Sequence, residues 1–384
     1  MKPFALLPHI SALALALAAL TSCGKDAAPA PSPTAPPDST VQAVAEAQQE
    51  PEIADDRVIP PYTNTLNPTA PFRFTRSNVL IVGEGSAMRA MSNFSAGRGL
   101  GYAFAQRVNR VKRALGSGVE VYCMAIPTAS AFYSPDTLRR QSTGQQQAIE
   151  GLYEKLLPEV HAVNVFTPLG HHAAEPIYLR TDHHWAPLGA FYAAGRFAKV
   201  AGVPFEPLAS YEQRTVRRFV GSMAVLAGEK SLKFTPEDFV YYMPKEKKNM
   251  ATYIDFRLDS TKQHIVGEGK PHAGVFFATY KDGASGAYCT FMGGDAKIVT
   301  VKTGTPNGRR LLILKDSFGN ALPGYLFYSF EEIHVCDVRF FPRNLPQYVR
   351  EHGVTDVLLA HNVFHLANPA VLEKYDQMLS GGGE

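Results

Sequence analysis

The sequence predicts an α/β domain with a mostly parallel sheet. Short, continuously apolar runs recur along the chain, helical patterns separate them, and one block of different character between about 205 and 305 interrupts the alternation. Asn78 to Val82 (NVLIV) opens the series, and a helical stripe of Phe104, Val108, Val111 and Leu115 follows it. Val119 to Ala125 reads as a second strand, Ile149, Leu152, Tyr153 and Leu156 as one face of a second helix, and Ala162 to Phe166 as a third strand. Arg310 to Lys315, Ile333 to Val338 and Asp356 to Ala360 complete the strands, and a last helix covers Pro369 to Leu379. Such alternation implies a three-layer α/β/α arrangement. Within 205–305 the pieces Asp238 to Tyr242, Gly274 to Tyr280 and Ile298 to Lys302 read as a β-rich or irregular insertion.

The amino terminus has another purpose. Met1 and Lys2 precede an apolar run from Ile10 to Leu20, too short to span a bilayer and suited to a signal peptide. The run ends at Leu20-Thr21-Ser22-Cys23-Gly24, which resembles a bacterial lipobox and makes Cys23 the expected lipidation site, the chain's link to a membrane. Gly24 and Lys25 lack the aspartate that retains some lipoproteins at the inner membrane, so a periplasmic or outer-membrane position in the cell envelope is expected. Residues 24–72 are dominated by Ala, Pro, Ser, Thr and acidic side chains and read as a disordered linker. The domain is expected to span 73–384, after the signal peptide at 1–23 and that linker.

Composition narrows the function classes. In 384 residues, 38 Lys and Arg face 35 Asp and Glu, and a net charge of +3 carries no footprint for nucleic acid. Four cysteines without CxxC spacing form neither a disulfide framework nor a zinc module; Cys123 and Cys336, inside expected strands, read as packed thiols.

Two clusters carry reactive groups. Thr181-Asp182-His183-His184-Trp185 precedes a helix whose first turn suits Pro187, and the positive end of that helix disfavours a protonated imidazole. In the second, the run Leu311 to Leu314 leads through Lys315 and Asp316 to Ser317-Phe318-Gly319-Asn320, placing Ser317 at a strand's carboxyl end, where ligands of α/β sheets bind. A serine hydroxyl needs an imidazole base, itself oriented by a carboxylate, and Asp182 with His184 can supply that pair. The plainer alternative for both Ser317 and Asp182 is a helix N-cap.

Four stretches together, TDHHWxPLGA, LLILKDSFGNAL, EEIHVCDVRFF and TDVLLAHN, resemble the bacterial DHHW family, which is similar to the SGNH-hydrolase-like proteins of polysaccharide acetylation, including those of alginate. The resemblance implies an SGNH-type, flavodoxin-like domain in which Ser317 is the nucleophile, His184 the general base and Asp182 its orienting partner. It further implies an O-acetyl ester of a cell-envelope polysaccharide as substrate, other acetylation-pathway proteins as possible partners, and no cofactor. The serine turn here is Lys-Asp-Ser-Phe-Gly, where the acetylation proteins carry a Gly-Thr-Ser-Phe-Ser type. Candidate oxyanion or substrate-binding groups are the backbone N–H groups from Ser317 through Phe318 to Gly319, with Asn320 and Asn362; Arg339 either binds an anion or pairs with Asp337.

Competing readings remain. Asp182, His183, His184, His171 and His172 are metal-ligand types, but no Asp-x-Asp motif precedes them, and no metal is expected. Gly83-Glu84-Gly85-Ser86 and Gly97-Arg98-Gly99-Leu100-Gly101 match no phosphate loop or dinucleotide fingerprint. His334, His361 and His365 read as structural, with His334 a fallback base. Tyr241, Tyr242, Phe276 and Phe277 suit either core packing or a sugar-stacking platform. Two function classes follow: a serine-dependent acetyltransferase or carbohydrate esterase, and a catalytically idle module of the same fold that binds glycan or a partner.

Overall fold

How an apolar run is covered decides which sheet it joins. In the computed structural model, which describes residues 52–139, 144–245 and 249–380, the first run does not enter the main sheet. A small antiparallel sheet joins β1 (Phe72–Phe74), β2 (Val79–Val82) and β3 (Arg89–Ser92). β2 is apolar throughout because both its faces are covered. Val79 and Ile81 pack with Met223, Ala224 and Leu232, whereas Leu80 and Val82 join the main core.

β4 (Glu120–Ile126) and β5 (Val160–Ala162) follow, then β6 (Tyr211–Phe219) and β7 (Glu237–Pro244), which pair only with each other. Next come β8 (Met250–Leu258), β9 (Ile265–Glu268), β10 (His272–Gly274), β11 (Lys297–Lys302), β12 (Arg310–Lys315), β13 (Glu332–Asp337) and β14 (Asp356–Asn362). Among the described residues the main sheet has nine strands, in the order β10-β8-β11-β13-β12-β14-β4-β5, with β9 pairing β8.

This is a mixed α/β fold, and the expected mostly parallel, flavodoxin-like sheet is corrected accordingly. β13, β12, β14, β4 and β5 run parallel, but β11 pairs antiparallel with both β13 and β8. The antiparallel half comes from the insertion, which extends the sheet instead of standing outside it. Its strands differ from the parallel ones in burial. β14 is buried at every position, whereas β8 has Ala251, Tyr253 and Phe256 buried among more exposed neighbours. The expected strand at Ala162 to Phe166 ends at Ala162, and Phe166 begins a helix; of Gly274 to Tyr280 only Gly274 lies in a strand. Tyr241, Tyr242 and Phe276 are buried, which favours core packing over a sugar platform.

Helices cover both faces of the parallel half. They are α1 (Tyr102–Leu115), α2 (Gln145–Glu154), α3 (Pro187–Ala201), α5 (Leu345–His352) and α6 (Pro369–Leu379), whereas α4 (Ser222–Leu226) packs on the small sheet. Phe104 of α1 meets His361 of β14 and Tyr375 of α6 edge-on, whereas Phe197 of α3 lies between Tyr122 of β4 and Phe330. β12, flanked by two parallel neighbours, therefore delivers its following turn where three carboxyl ends meet.

Residues 52–72, which composition assigns to the linker, pack on this body. Ile59 is buried, Asp56 pairs with Arg196, and the Arg57 guanidinium donates to the carbonyls of Tyr153, Leu156, Leu157 and Val160. Composition misleads here because the segment docks mostly through polar contacts. The signal peptide, Cys23 and the earlier part of the linker lie outside the described residues. Among the described residues, no helix is long and apolar enough to cross a membrane.

Arg57→Ala should cost roughly 2 kcal/mol, because several carbonyls lose a charged donor together. Urea unfolding checks this; an unchanged midpoint would return the segment to the linker.

Candidate active site

Asp182 is held from behind. It belongs to a loop fixed by Glu237 of β7, whose carboxylate accepts from the N–H groups of Arg180 and Thr181 and from the Thr181 hydroxyl. The Thr181 hydroxyl oxygen accepts from Gly221 N–H, and Ser222 N–H donates to Asp182 Oδ2 at 2.8 Å. Position 221 must be glycine, since a Cβ there would lie 2.4 Å from Asp182 Cβ. Asp182 Oδ1 accepts from the backbone N–H of His184 at 3.0 Å and lies 2.7 Å from His184 Nδ1. The loop closes with Trp185, which forms an isolated bridge with Tyr178, and α3 begins two residues later with Pro187 in its first turn.

The opposite wall is the turn after β12. Asp316 caps it by accepting from Phe318 N–H at 2.9 Å, and Ser317 opens a 3₁₀ turn running to Ala321. The Ser317 hydroxyl lies 2.8 Å from His184 Nε2. Asp182, His184 and Ser317 are thus one continuous line of hydrogen bonds from a buried carboxylate to a partly exposed hydroxyl. With Nδ1–H donated to Asp182, the tautomer this line assigns, Nε2 is free to take the serine proton.

The surroundings lock both halves. The Tyr288 ring stacks on the His184 imidazole at 3.8 Å and 7°, and its hydroxyl donates to the carbonyls of Ser317 and Phe318. Trp185 Nε1–H donates to Phe318 O at 2.9 Å. Under the turn, Lys315 Nζ is 3.0 Å from Asp295 and 3.5 Å from Asp337, and the Arg339 guanidinium bridges the same two carboxylates. Burial alone would raise the Asp182 carboxyl, but the His183 and His184 imidazoles and the Ser222 N–H hold it well below the usual carboxylate range. Burial, reinforced by the adjacent His184, lowers His183 to about 3. His183 is therefore neutral, its Nδ1 2.6 Å from Ser222 Oγ and its ring 3.8 Å from that of His184.

The remaining candidates are placed differently. Phe318 N–H is committed to the Asp316 side chain and Gly319 N–H to the Asp316 carbonyl, so two of the three expected oxyanion donors are taken up within the turn. Asn320 Nδ2 donates to Asp295, and Asn362 Nδ2 donates to Asp316. Arg339 makes the pairing with Asp337 that the sequence left open. His334 sits away from this line, against Tyr348 and Glu332. Four residues of the surround had no sequence signal. Ser222, Glu237, Tyr288 and Asp295 all come from the insertion, at positions with no periodicity or motif to single them out.

The chain is similar to known proteins in sequence and in fold. The DHHW family profile matches residues 50–336. A DHHW family protein of Eubacterium siraeum is 36% identical, covering 79% of this chain and 96% of its own, with a TM-score of 0.70. PatB1 of Bacillus cereus, solved with a sulfonyl adduct, is 18% identical over 79% of this chain and 98% of its own, with a TM-score of 0.59, a likeness of fold. No curated protein matches the chain.

The neutral His183 has a measurable consequence. Unfolded, it titrates near 6.5, so between about pH 3 and 6.5 the unfolded chain binds a proton that the folded chain does not. Stability should therefore fall as pH is lowered through that window, by up to about 1.4 kcal/mol per pH unit. His183→Asn should flatten the slope at pH 5 by about that amount in urea midpoints; an unchanged slope would mean that His183 is charged when folded.

Proposed function

The chain belongs to the DHHW family, and from that premise we propose that it is a cell-envelope lipoprotein whose Ser317, His184 and Asp182 act on O-acetyl esters of a surface or periplasmic polysaccharide. The observation that carries the reading is the 2.8 Å contact between the Ser317 hydroxyl and His184 Nε2, with Asp182 2.7 Å from the other ring nitrogen. The acetyl class and the polysaccharide come from the resemblance of the sequence motifs to acetylation proteins, and the membrane tether from the lipobox at Cys23.

The chemistry follows from the residues. His184 Nε2 takes the proton as Ser317 Oγ attacks the acetyl carbonyl, and Asp182 stabilises the imidazolium that forms. Negative charge gathers on the carbonyl oxygen. His184 then gives its proton to the departing alkoxide, leaving the acetyl group on Ser317. In the second half a hydroxyl acceptor loses its proton to His184 and takes the acetyl group, and the proton returns to Ser317. Water as acceptor makes the protein an esterase; a sugar hydroxyl makes it a transferase. A neutral His183 beside His184 leaves one imidazole of the pair to carry the proton.

Ser317→Ala should lower hydrolysis of an aryl acetate by roughly 10³-fold or more. Gly221→Ala, which forces Asp182 out of line, should lower kcat at least tenfold by misplacing the base. Equal rates in wild type and Ser317→Ala would overturn the reading and favour an idle binding module.

A further inference from the structure

We propose a binding site for one divalent transition-metal ion, with zinc as the ion that best suits its donors, formed by Asp316, His361 and His365 beneath the nucleophile turn. Asp316 follows β12, His361 lies in β14, and His365 begins the short turn His365–Ala367 after it. Asp316 Oδ2 lies 2.9 Å from His365 Nδ1 and 3.8 Å from His361 Nδ1, and the three donor atoms fall within 4.8 Å of one another. Donors around a tetrahedral zinc ion, each bound at about 2.0–2.2 Å, are spaced about 3.3–3.5 Å apart, so the cluster has the right span.

The second observation is what these nitrogens lack. Nδ1 of His361, on a fully buried side chain, and Nδ1 of His365 are both shielded from solvent and make no hydrogen bond. His365 Nδ1 is close to the carboxylate but not aligned with it as a donor. The fully buried His361 Nδ1, without a hydrogen bond and 3.8 Å from the carboxylate oxygen that His365 Nδ1 also approaches, is better explained by a shared cation than by ordinary core packing. The outer contacts fit as well. His361 Nε2 lies 2.7 Å from the Tyr375 hydroxyl, and with Nε2–H donated there the Nδ1 lone pair is free for an ion. Asp316 Oδ2 also accepts from Asn362 N–H at 2.6 Å and Asn362 Nδ2 at 2.8 Å, the kind of contacts that orient a ligating carboxylate. Two imidazoles with one carboxylate favour zinc over calcium or magnesium.

Asp182, His183 and His184 also converge, but there His184 Nδ1 and Nε2 are taken by Asp182 and Ser317, and His183 Nδ1 by Ser222. The proposed ion touches no substrate. It joins β14 to Asp316, whose other oxygen caps the Ser317 turn, so Asp316 is a positioning residue for the nucleophile. The proposal is independent of the acetyl reading.

The test titrates Co²⁺, then competing Zn²⁺, into the full chain after chelator treatment, following visible absorption, bound metal and the melting temperature. About one equivalent should bind with a tetrahedral-type spectrum and raise Tm, and His365→Gln should weaken binding roughly 100-fold or more. His183→Gln should bind as wild type does, which separates the two clusters. Wild type that retains less than about a tenth of an equivalent and shows no spectrum or Tm shift would overturn the proposal, because structural sites bind tightly. Binding insensitive to both His365→Gln and His361→Asn would overturn it equally.

Discussion

A buried carboxylate stays charged only where donors meet it, and the geometry of this site depends on how Asp182 meets that requirement. One oxygen takes the N–H of Ser222 and the other takes both the backbone and the ring of His184. The carboxylate is thereby fixed in place, and through it the imidazole. Ser222 in turn is positioned by Gly221 and Thr181, and Thr181 by Glu237 of β7. The base is therefore set by a chain of contacts reaching into the insertion. The parallel sheet sets the nucleophile, and Tyr288, another residue of the insertion, bridges the two by stacking on His184 while holding the carbonyls of Ser317 and Phe318.

Beneath the serine turn a second constraint operates. Lys315 and Arg339 are matched by Asp295 and Asp337, two charges of each sign, all buried except for part of Arg339. Burial and the paired carboxylates act in opposite directions on these cations, and the carboxylates prevail, so Lys315 and Arg339 both stay charged. Such a cluster is weak evidence for stability but fixes register, because displacing one member leaves an uncompensated charge in the interior. It pins the ends of β12 and β13 together directly under Ser317. Close packing serves the same end at Gly319, where a Cβ would lie 2.5 Å from Lys315 Cβ.

How much of this was legible in the sequence depends on how local each signal is. Strands β12 and β14 read directly from their apolar runs, Leu311 to Leu314 and Val357 to Ala360, since burial on both faces keeps the middle of each strand apolar. Asp182, His184 and Ser317 stand out because each sits in a compact motif, although the contact between His184 and Ser317 spans 133 residues. The sheet's antiparallel half was not legible. β8 and β11 carry alternating or mixed patterns that say strand without saying which partner, and for 205–305 the pattern says only a β-rich or irregular insertion within the domain. β2 was misassigned for the opposite reason, being apolar on both faces yet covered by a second small core. Ser222, Glu237, Tyr288 and Asp295 stayed invisible because their importance lies entirely in tertiary contacts. Arg57 was lost inside a composition typical of linkers.

The central claim is that Ser317 is a nucleophile made reactive by His184. Treating the full chain with an aryl sulfonyl fluoride and locating the label by peptide mass analysis tests it most directly, because a sulfonyl group is transferred to an activated hydroxyl and stays there. The expected result is one label on Ser317 in the wild type, with labelling lost in His184→Gln. No label, or a label on another residue that survives His184→Gln, would contradict the claim.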